Sequence, residues 1–202
     1  MKFFLKSKIL SIAFISIQLH SFSQEVEQLP IPYLSFNDTN VIYDMSMSYK
    51  KYYGSGLLVL KRQSKSNYHG VFLSKMGLKL MEFKIIDGVF VWKKMIQYLD
   101  KKSVRKIMER DFAMLMLSDV ESAERIKKKT TKNDVMKYKV WSTRKLLLEV
   151  DDSNIVYIEN RGGFNLTKTK IVFDNYEKNT PKSLNLTHNA IKVKLQLELL
   201  EQ

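Results

Sequence analysis

The chain of 202 residues contains no cysteine, only three prolines, seven glycines and three histidines. Without cysteine there is no disulfide scaffold, no zinc-finger site, no thiol nucleophile and no residue that could carry an N-terminal lipid anchor. The low proline and glycine content excludes collagen-like and low-complexity chains, and an apolar fraction of 45% excludes intrinsic disorder. A single domain of this length buries enough surface to fold without disulfides or metals.

Catalytic motifs are also missing. His69 and His188 each stand isolated in sequence, and there is no nucleophile elbow, HExxH pair, phosphate-binding glycine loop or CxxC. Asp151-Asp152 is typical of a turn and lacks the regular oxygen spacing of a calcium loop. An enzyme would need a pair of carboxylates, or a histidine and a carboxylate, converging in a cleft. We therefore predict no enzymatic activity, no cofactor and no metal site.

The N-terminus has the layout of a secretory signal peptide. Lys2, Lys6 and Lys8 precede an apolar run, ILSIAFISI, which is shorter than the roughly 20 residues of a membrane-spanning helix. Ser21-Phe22-Ser23 then puts small residues at the −3 and −1 positions before Gln24. We predict cleavage after residue 23, a single domain over 24–202, and a soluble protein of the periplasm or envelope. The alternative is an uncleaved N-terminal anchor.

The formal charge of +13 raises the question of an anionic partner, and removal of residues 1–23 lowers it to +10. Most lysines and arginines are spread over alternating positions, which is typical of a solvated sheet face. Tyr52-Tyr53 beside Lys50-Lys51 is the only place that hints at nucleic-acid binding. Because export argues against nucleic acid, an anionic membrane surface is the better expectation.

Apolar residues alternate with a period of two over most of the chain from Val41 onward, which predicts strands. Asp87-Gly88 predicts a tight hairpin turn between two of them. The predicted strands are Ser55–Gln63, Tyr68–Ser74, Leu78–Ile86, Val89–Ile96, Val135–Trp141, Arg144–Val150, Asn154–Glu159, Leu166–Phe173 and Ile191–Leu199.

The period changes to that of a helix in the middle of the chain. Val104, Ile107, Met108, Phe112, Leu115 and Met116 form one apolar stripe. Ser118 and Glu121 have the spacing of a capping box, which predicts a second helix from Asp119 to about Lys128. Lys127-Lys128-Lys129 would then lie at the C-terminal end of that helix, where cations suit the helix dipole.

These patterns predict an α+β fold, an incomplete antiparallel β-barrel of about 10–11 strands with two central helices covering its concave face. Several strands, such as 57–60 and 89–92, are apolar on both faces. Their inner face could be ordinary core or could line a cavity for an apolar ligand, and the sequence leaves both open.

The segment Ser74-Lys75-Met76-Gly77-Leu78-Lys79-Leu80 joins two predicted strands and carries a large apolar residue at its turn. This arrangement resembles a hairpin of the LolB family of outer-membrane lipoprotein receptors, in which a Gly-Pro-Leu-Gly turn projects a leucine toward the membrane. Met76 takes the leucine position and Gly77 the glycine, whereas Lys75 departs from the family's proline. The C-terminal part, with Tyr176, PKSLNL at 181–186 and the strand Ile191–Leu199, resembles the closing segment of LolA- and LolB-like proteins.

The resemblance implies an incomplete barrel, lidded by helices, whose apolar cavity holds acyl chains of lipids or lipoproteins. LolB is itself a lipoprotein, whereas this chain has no cysteine to acylate. The cavity arginine of the carrier family has no identifiable counterpart here.

We therefore expect a monomeric lipid- or lipoprotein-binding protein that touches anionic membrane at the Met76 turn. The alternative is an interaction module that binds a protein partner through a sheet edge or its basic face. The candidate cavity residues are Phe83, Ile85, Phe90, Trp92, Met108, Phe112 and Met116. The candidate membrane-contact residues are Lys75, Met76, Leu78 and Lys79.

Overall fold

The computed structural model describes residues 40–49, 51–64, 66–97, 99–121, 123–130, 135–142, 144–162, 167–177, 180–189 and 192–201. The predicted signal peptide 1–23 and the first part of the predicted domain lie outside these residues. So do Lys50, Leu166 and Ile191, the last two being the first residues of two predicted strands.

One antiparallel sheet of twelve strands dominates the structure. Its spatial order is β5-β4-β3-β2-β1-β12-β11-β10-β9-β8-β7-β6, so β5 and β6 form the two edges and the barrel is not closed. The strands are β1 (Val41–Tyr49), β2 (Tyr52–Ser64), β3 (Asn67–Ser74), β4 (Lys79–Ile86), β5 (Val89–Met95), β6 (Arg125–Thr130), β7 (Met136–Trp141), β8 (Lys145–Asp151), β9 (Asn154–Arg161), β10 (Thr167–Glu177), β11 (Thr180–His188) and β12 (Val193–Glu201).

Two helices lie between β5 and β6 in the chain, α1 (Lys102–Leu115) and α2 (Ser118–Glu121). The C-terminal half of α1 is buried against the sheet because its apolar residues recur at helical spacing. The strands bury alternate residues toward the same side, as β4 does with Met81, Phe83 and Ile85. The predicted fold class, an incomplete antiparallel barrel covered by central helices, is confirmed.

The extent of the second helix is a correction. The predicted helix from Asp119 to about Lys128 ends at Glu121, and Lys127–Lys129 lie in β6, paired with β7. The Ser118 hydroxyl donates to the carbonyl of Ala113. β7 offers an open row of backbone hydrogen-bonding groups. Pairing with β7 gives hydrogen-bond partners to the backbone N–H and C=O groups of Arg125–Thr130. Lysines on the resulting edge strand discourage further pairing.

The sheet also has twelve strands rather than the expected 10–11. The sequence predicts a helix at β6 and delimits no separate strand at β1 or β11. β11 begins Thr180-Pro181 and pairs with both β10 and β12. Proline and alternating polar residues give this segment a weak strand signal.

Gly70 in β3 allows the ring of Phe83 to pack directly over the backbone of its cross-strand partner. A Cβ atom at Gly70 would lie 2.2 Å from the Phe83 ring, whereas one at Gly54 in β2 would meet nothing within 4 Å. We predict that Gly70→Ala lowers the free energy of unfolding by about 1–3 kcal/mol, since the ring must move in a packed core. Urea denaturation measures this, with Gly54→Ala as the matched control expected to be near neutral. Equal effects of the two substitutions would contradict the packing described.

Candidate functional site

Four aromatic rings form one cluster between the sheet and α1. The Phe83 ring stacks on Phe90 at 4.9 Å and on Phe112 at 4.6 Å between ring centroids, and Trp92 meets it edge-on at 6.1 Å. Phe90 and Trp92 also contact each other, with centroids 4.9 Å apart. The cluster therefore joins β4 and β5 to the buried face of α1.

All seven candidate cavity residues lie on this inner side of the sheet or on the helix that covers it. Phe83, Ile85, Met108, Phe112 and Met116 are buried, whereas Phe90 and Trp92 are only partly buried and lie toward the β5 edge. The indole N–H of Trp92 donates to the Glu109 carboxylate at 2.8 Å, which ties the edge strand to α1. Because β5 has no neighbouring strand on its outer side among the described residues, this hydrogen bond and the ring stacking hold that edge against the helix.

A buried polar network holds the other side of the helical cover, and no pattern in the sequence predicts it. The Arg144 guanidinium contacts the Asp119 carboxylate of α2 at 3.1 Å and donates to the Arg110 carbonyl of α1 at 2.8 Å. The Thr169 hydroxyl of β10 donates to Asp111 of α1. One sequence feature does point to one of its members: Asp111 is a charged residue beside Phe112 on the apolar stripe of α1 that packs against the sheet.

Burial changes the proton affinities within this network. Loss of hydration raises the pKa of Asp111 to about 7, although Arg144, the Thr169 hydroxyl and Arg110 pull it down. Burial likewise lowers the pKa of Arg144, which the Asp119 carboxylate partly restores. The pair Arg144–Asp119 thus joins a half-buried guanidinium to a buried carboxylate, while Asp111 is a carboxyl that folding favours in its protonated form.

The opposite end of α2 is tied to the first half of the sheet. Glu121 accepts hydrogen bonds from the Arg62 guanidinium of β2 at 2.5 Å and from the Tyr68 hydroxyl of β3 at 2.9 Å. Although α2 has only four residues, its two carboxylates therefore bind side chains from both halves of the sheet.

The isolated histidines lie in unrelated surroundings. His69 on the outer face contacts Glu82 at 3.0 Å, and Lys79 contacts the same carboxylate at 2.7 Å. The hydrogen bonds from Lys79 and His69 lower the pKa of Glu82. Burial lowers the pKa of His188. Within the described ranges, no group of three His, Asp or Glu side chains is placed to hold a metal ion.

The turn between β3 and β4 projects its apolar residues outward. Met76 is 85% and Leu78 is 62% exposed, and Lys75 and Lys79 flank them on the surface. Gly77 adopts a φ of 79°, a conformation that glycine accepts without strain. Its N–H donates to the Ser74 carbonyl at 2.9 Å, and the Leu78 N–H donates to the Ser74 hydroxyl at 3.1 Å. Hydrogen bonds within the turn thus fix its backbone, while the Met76 side chain is exposed and does not pack in the core.

Solved structures with the same architecture include two bacterial proteins. A LolA superfamily protein from Nitrosomonas europaea superposes with a TM-score of 0.59 at 8% identity, covering 87% of this chain and 90% of that one. A domain from Vibrio parahaemolyticus, named as an outer-membrane lipoprotein-sorting protein domain, gives a TM-score of 0.51 at 12% identity, covering 80% and 83%. The chain has a LolA-like fold.

This LolA-like fold confirms the resemblance at the level of structure, over most of the chain. No family model matches the sequence, and no curated protein matches it. At 8–12% identity the likeness carries no residue roles across. In the described part of this LolA-like chain, every helix is too short or too polar to span a bilayer. The roles of the candidate cavity and membrane-contact residues are therefore argued below from this chain's own geometry.

Proposed function

We propose that this chain is an exported, non-enzymatic binding protein whose concave face receives acyl chains of lipids or lipoproteins. The observation that carries the proposal is the open LolA-like sheet whose inner face, at the β4–β5 edge, is lined by aromatic and methionine side chains beneath α1. In this role the chain handles lipoproteins or lipids in the cell envelope, as a monomer without a cofactor.

The β5 edge is the expected entry to this site. Phe90 and Trp92 are only partly buried there, and they lead inward to Phe83 and Phe112. Each methylene of an acyl chain that leaves water for such surroundings contributes about 0.8 kcal/mol. Met108 and Met116 suit the inner wall because unbranched thioether side chains adapt to ligands of irregular shape.

Three further observations bear on the envelope assignment. The N-terminal 23 residues have the layout of a signal peptide, which would deliver the chain to the periplasm. Since the sequence contains no cysteine, it would not itself be anchored by acylation. Both similar structures belong to proteins named for the LolA superfamily or for lipoprotein sorting.

The Met76 turn is the proposed membrane contact. Met76 and Leu78 would enter the interfacial region of the bilayer, while Lys75 and Lys79 meet anionic head groups, each nearby cation adding about 1 kcal/mol. Lys79 also contacts Glu82, so Lys75 is the freer of the two cations to bind a head group.

We predict that Met76→Asp weakens binding to anionic vesicles by about tenfold or more, since it replaces an inserted apolar group with a charge that head groups repel. Vesicle co-sedimentation of the purified protein measures this. Val89→Asp is the matched control, because Val89 is also an exposed apolar residue (63%) but follows the Asp87-Gly88 turn at the other end of the sheet.

Equal losses in the two variants, or none in either, would contradict a membrane contact at the β3–β4 turn. Circular dichroism of both variants checks that the fold is retained, as expected for substitutions at exposed turn positions.

The alternative function, an interaction module for a protein partner, has one observation in its favour. The open sheet ends in two edge strands, β5 and β6, and an incoming strand could pair with either. A protein that co-purifies with a partner but never with lipid would favour this alternative.

A further inference from the structure

The turn between β1 and β2 carries the most aromatic exposed surface of the described chain. Tyr52 is 63% and Tyr53 is 74% exposed, and the Lys51 ammonium lies 5.9 Å from the centroid of the Tyr52 ring. Successive residues of a strand point to opposite faces, so the two tyrosines present aromatic surface on both sides of the hairpin. Neither the core nor the proposed acyl-chain site uses these rings.

Strand register places this hairpin at the same end of the sheet as the Met76 turn. Gly56 of β2 pairs with Ser74, the last residue of β3, and the Met76 turn follows directly. Tyr52 lies four residues before Gly56 in the sequence, which is about 13 Å farther along the strand direction. Tyr49 pairs with both Tyr52 and Val193, so the β11–β12 turn with Lys192 also lies at this end.

The two ends of the sheet differ in charge. Three of the turns at the Tyr52 end, residues 49–53, 74–79 and 188–193, contain by sequence five lysines and no aspartate or glutamate. By sequence, the turns at the opposite end (64–67, 86–89, 130–136, 151–154 and 177–180) carry five acidic residues, Asp87, Asp134, Asp151, Asp152 and Glu177, and three lysines, Lys65, Lys132 and Lys178. This difference in charge between the two ends favours an orientation in which the tyrosines, Met76 and Leu78 face a negative surface.

We propose that the β1–β2 hairpin is a second membrane contact, which binds anionic lipid head groups through Lys51 and seats Tyr52 and Tyr53 at the bilayer interface. The inference rests on the proposed function and extends it, because two contacts at one end of the sheet would fix the orientation of the protein on the membrane, whereas one would leave it free to pivot.

The residue types of the hairpin favour a bilayer over other partners. Tyrosine is enriched at membrane interfaces, where its ring is partly buried and its hydroxyl remains hydrated. The adjacent cation is attracted by the negative potential of anionic lipids. Single-stranded nucleic acid would also contact aromatic rings and lysines, and the experiment below includes it as a competing outcome.

The test is co-sedimentation with vesicles of phosphatidylethanolamine and phosphatidylglycerol, and with phosphatidylcholine vesicles as the neutral comparison. We expect Tyr52→Ser/Tyr53→Ser to weaken binding to the anionic vesicles by about tenfold, as two rings lose partial burial. We expect Lys51→Gln to weaken it by about fivefold, with a reduced salt dependence. Val89→Ser, at the acidic end, is the matched control and should bind as the unmodified protein does.

The outcomes separate this inference from the proposed function. If Met76→Asp loses vesicle binding while the tyrosine double variant keeps it, the second contact is wrong and the first stands. If the unmodified protein binds neither kind of vesicle, both membrane contacts are wrong. Equal binding to anionic and neutral vesicles would overturn the role of charge. Loss of binding to a single-stranded oligonucleotide, with vesicle binding intact, would assign the hairpin to nucleic acid instead.

Discussion

Replacing Arg144 with methionine is expected to lower the free energy of unfolding by about 3–5 kcal/mol, the cost of breaking a buried ion pair from one side. The guanidinium is only 17% exposed and binds both the Asp119 carboxylate and the Arg110 carbonyl. Methionine fills a similar volume and donates no hydrogen bond. The substitution would therefore remove the contacts by which Arg144, just before β8, holds α1 and α2.

The matched control is Arg105→Met. Arg105 pairs with Asp100 just before α1, where both side chains are 38% exposed, and exposed pairs contribute about 0–1 kcal/mol. Urea unfolding followed by circular dichroism measures both variants. Similar losses for Arg144→Met and Arg105→Met would contradict a buried network under the helices.

Asp111→Asn is expected to remove most of a pH dependence worth up to about 4 kcal/mol, at 1.36 kcal/mol for each unit of pKa difference. The carboxyl has a pKa of about 7 in the folded chain, raised from 3.8 by burial. Because folding raises this pKa, the protonated form is favoured in the folded state. The contribution of the Asp111 carboxyl to the free energy of unfolding is complete below about pH 4 and is lost as the pH rises to about 7.

Asparagine does not titrate, and its carbonyl oxygen still accepts the hydrogen bond from Thr169. The measurement is the difference in unfolding free energy between variant and unmodified protein, taken at about pH 4 and about pH 8 so that the other titrating groups cancel. The difference should shift in favour of the variant as the pH rises. Stability curves that remain parallel over this range would show that Asp111 is already ionised, or exposed, in the folded protein.

Much of the fold follows from local patterns. The turn at Asp87-Gly88 was predicted from residue type alone, and both residues adopt a positive φ, of 49° and 78°. The stripe from Val104 to Met116 predicted α1, because apolar residues at helical spacing give a helix one face that it can bury against the sheet. Inner-face residues such as Phe83 and Ile85 were identifiable because alternation in a strand separates the two faces.

Features that depend on long-range pairing were not predictable. Arg125–Thr130 has three successive lysines and no clear alternation, and it is a strand through its pairing with β7. Arg144 and Asp119 are 25 positions apart, and nothing local indicates that they form a buried pair. The candidate cavity residues were found from periodicity, yet the same periodicity describes a closed core, so their role in binding remains a proposal.

The most direct test of the central claim is native mass spectrometry of the protein purified from its own cell envelope, followed by extraction and identification of any bound lipid. The account predicts a bound species carrying acyl chains, in a stoichiometry that falls when Phe90→Asp places a charge at the β5 edge. Protein that is always free of acyl chains, and that also fails to take up a fluorescent fatty acid, would contradict it.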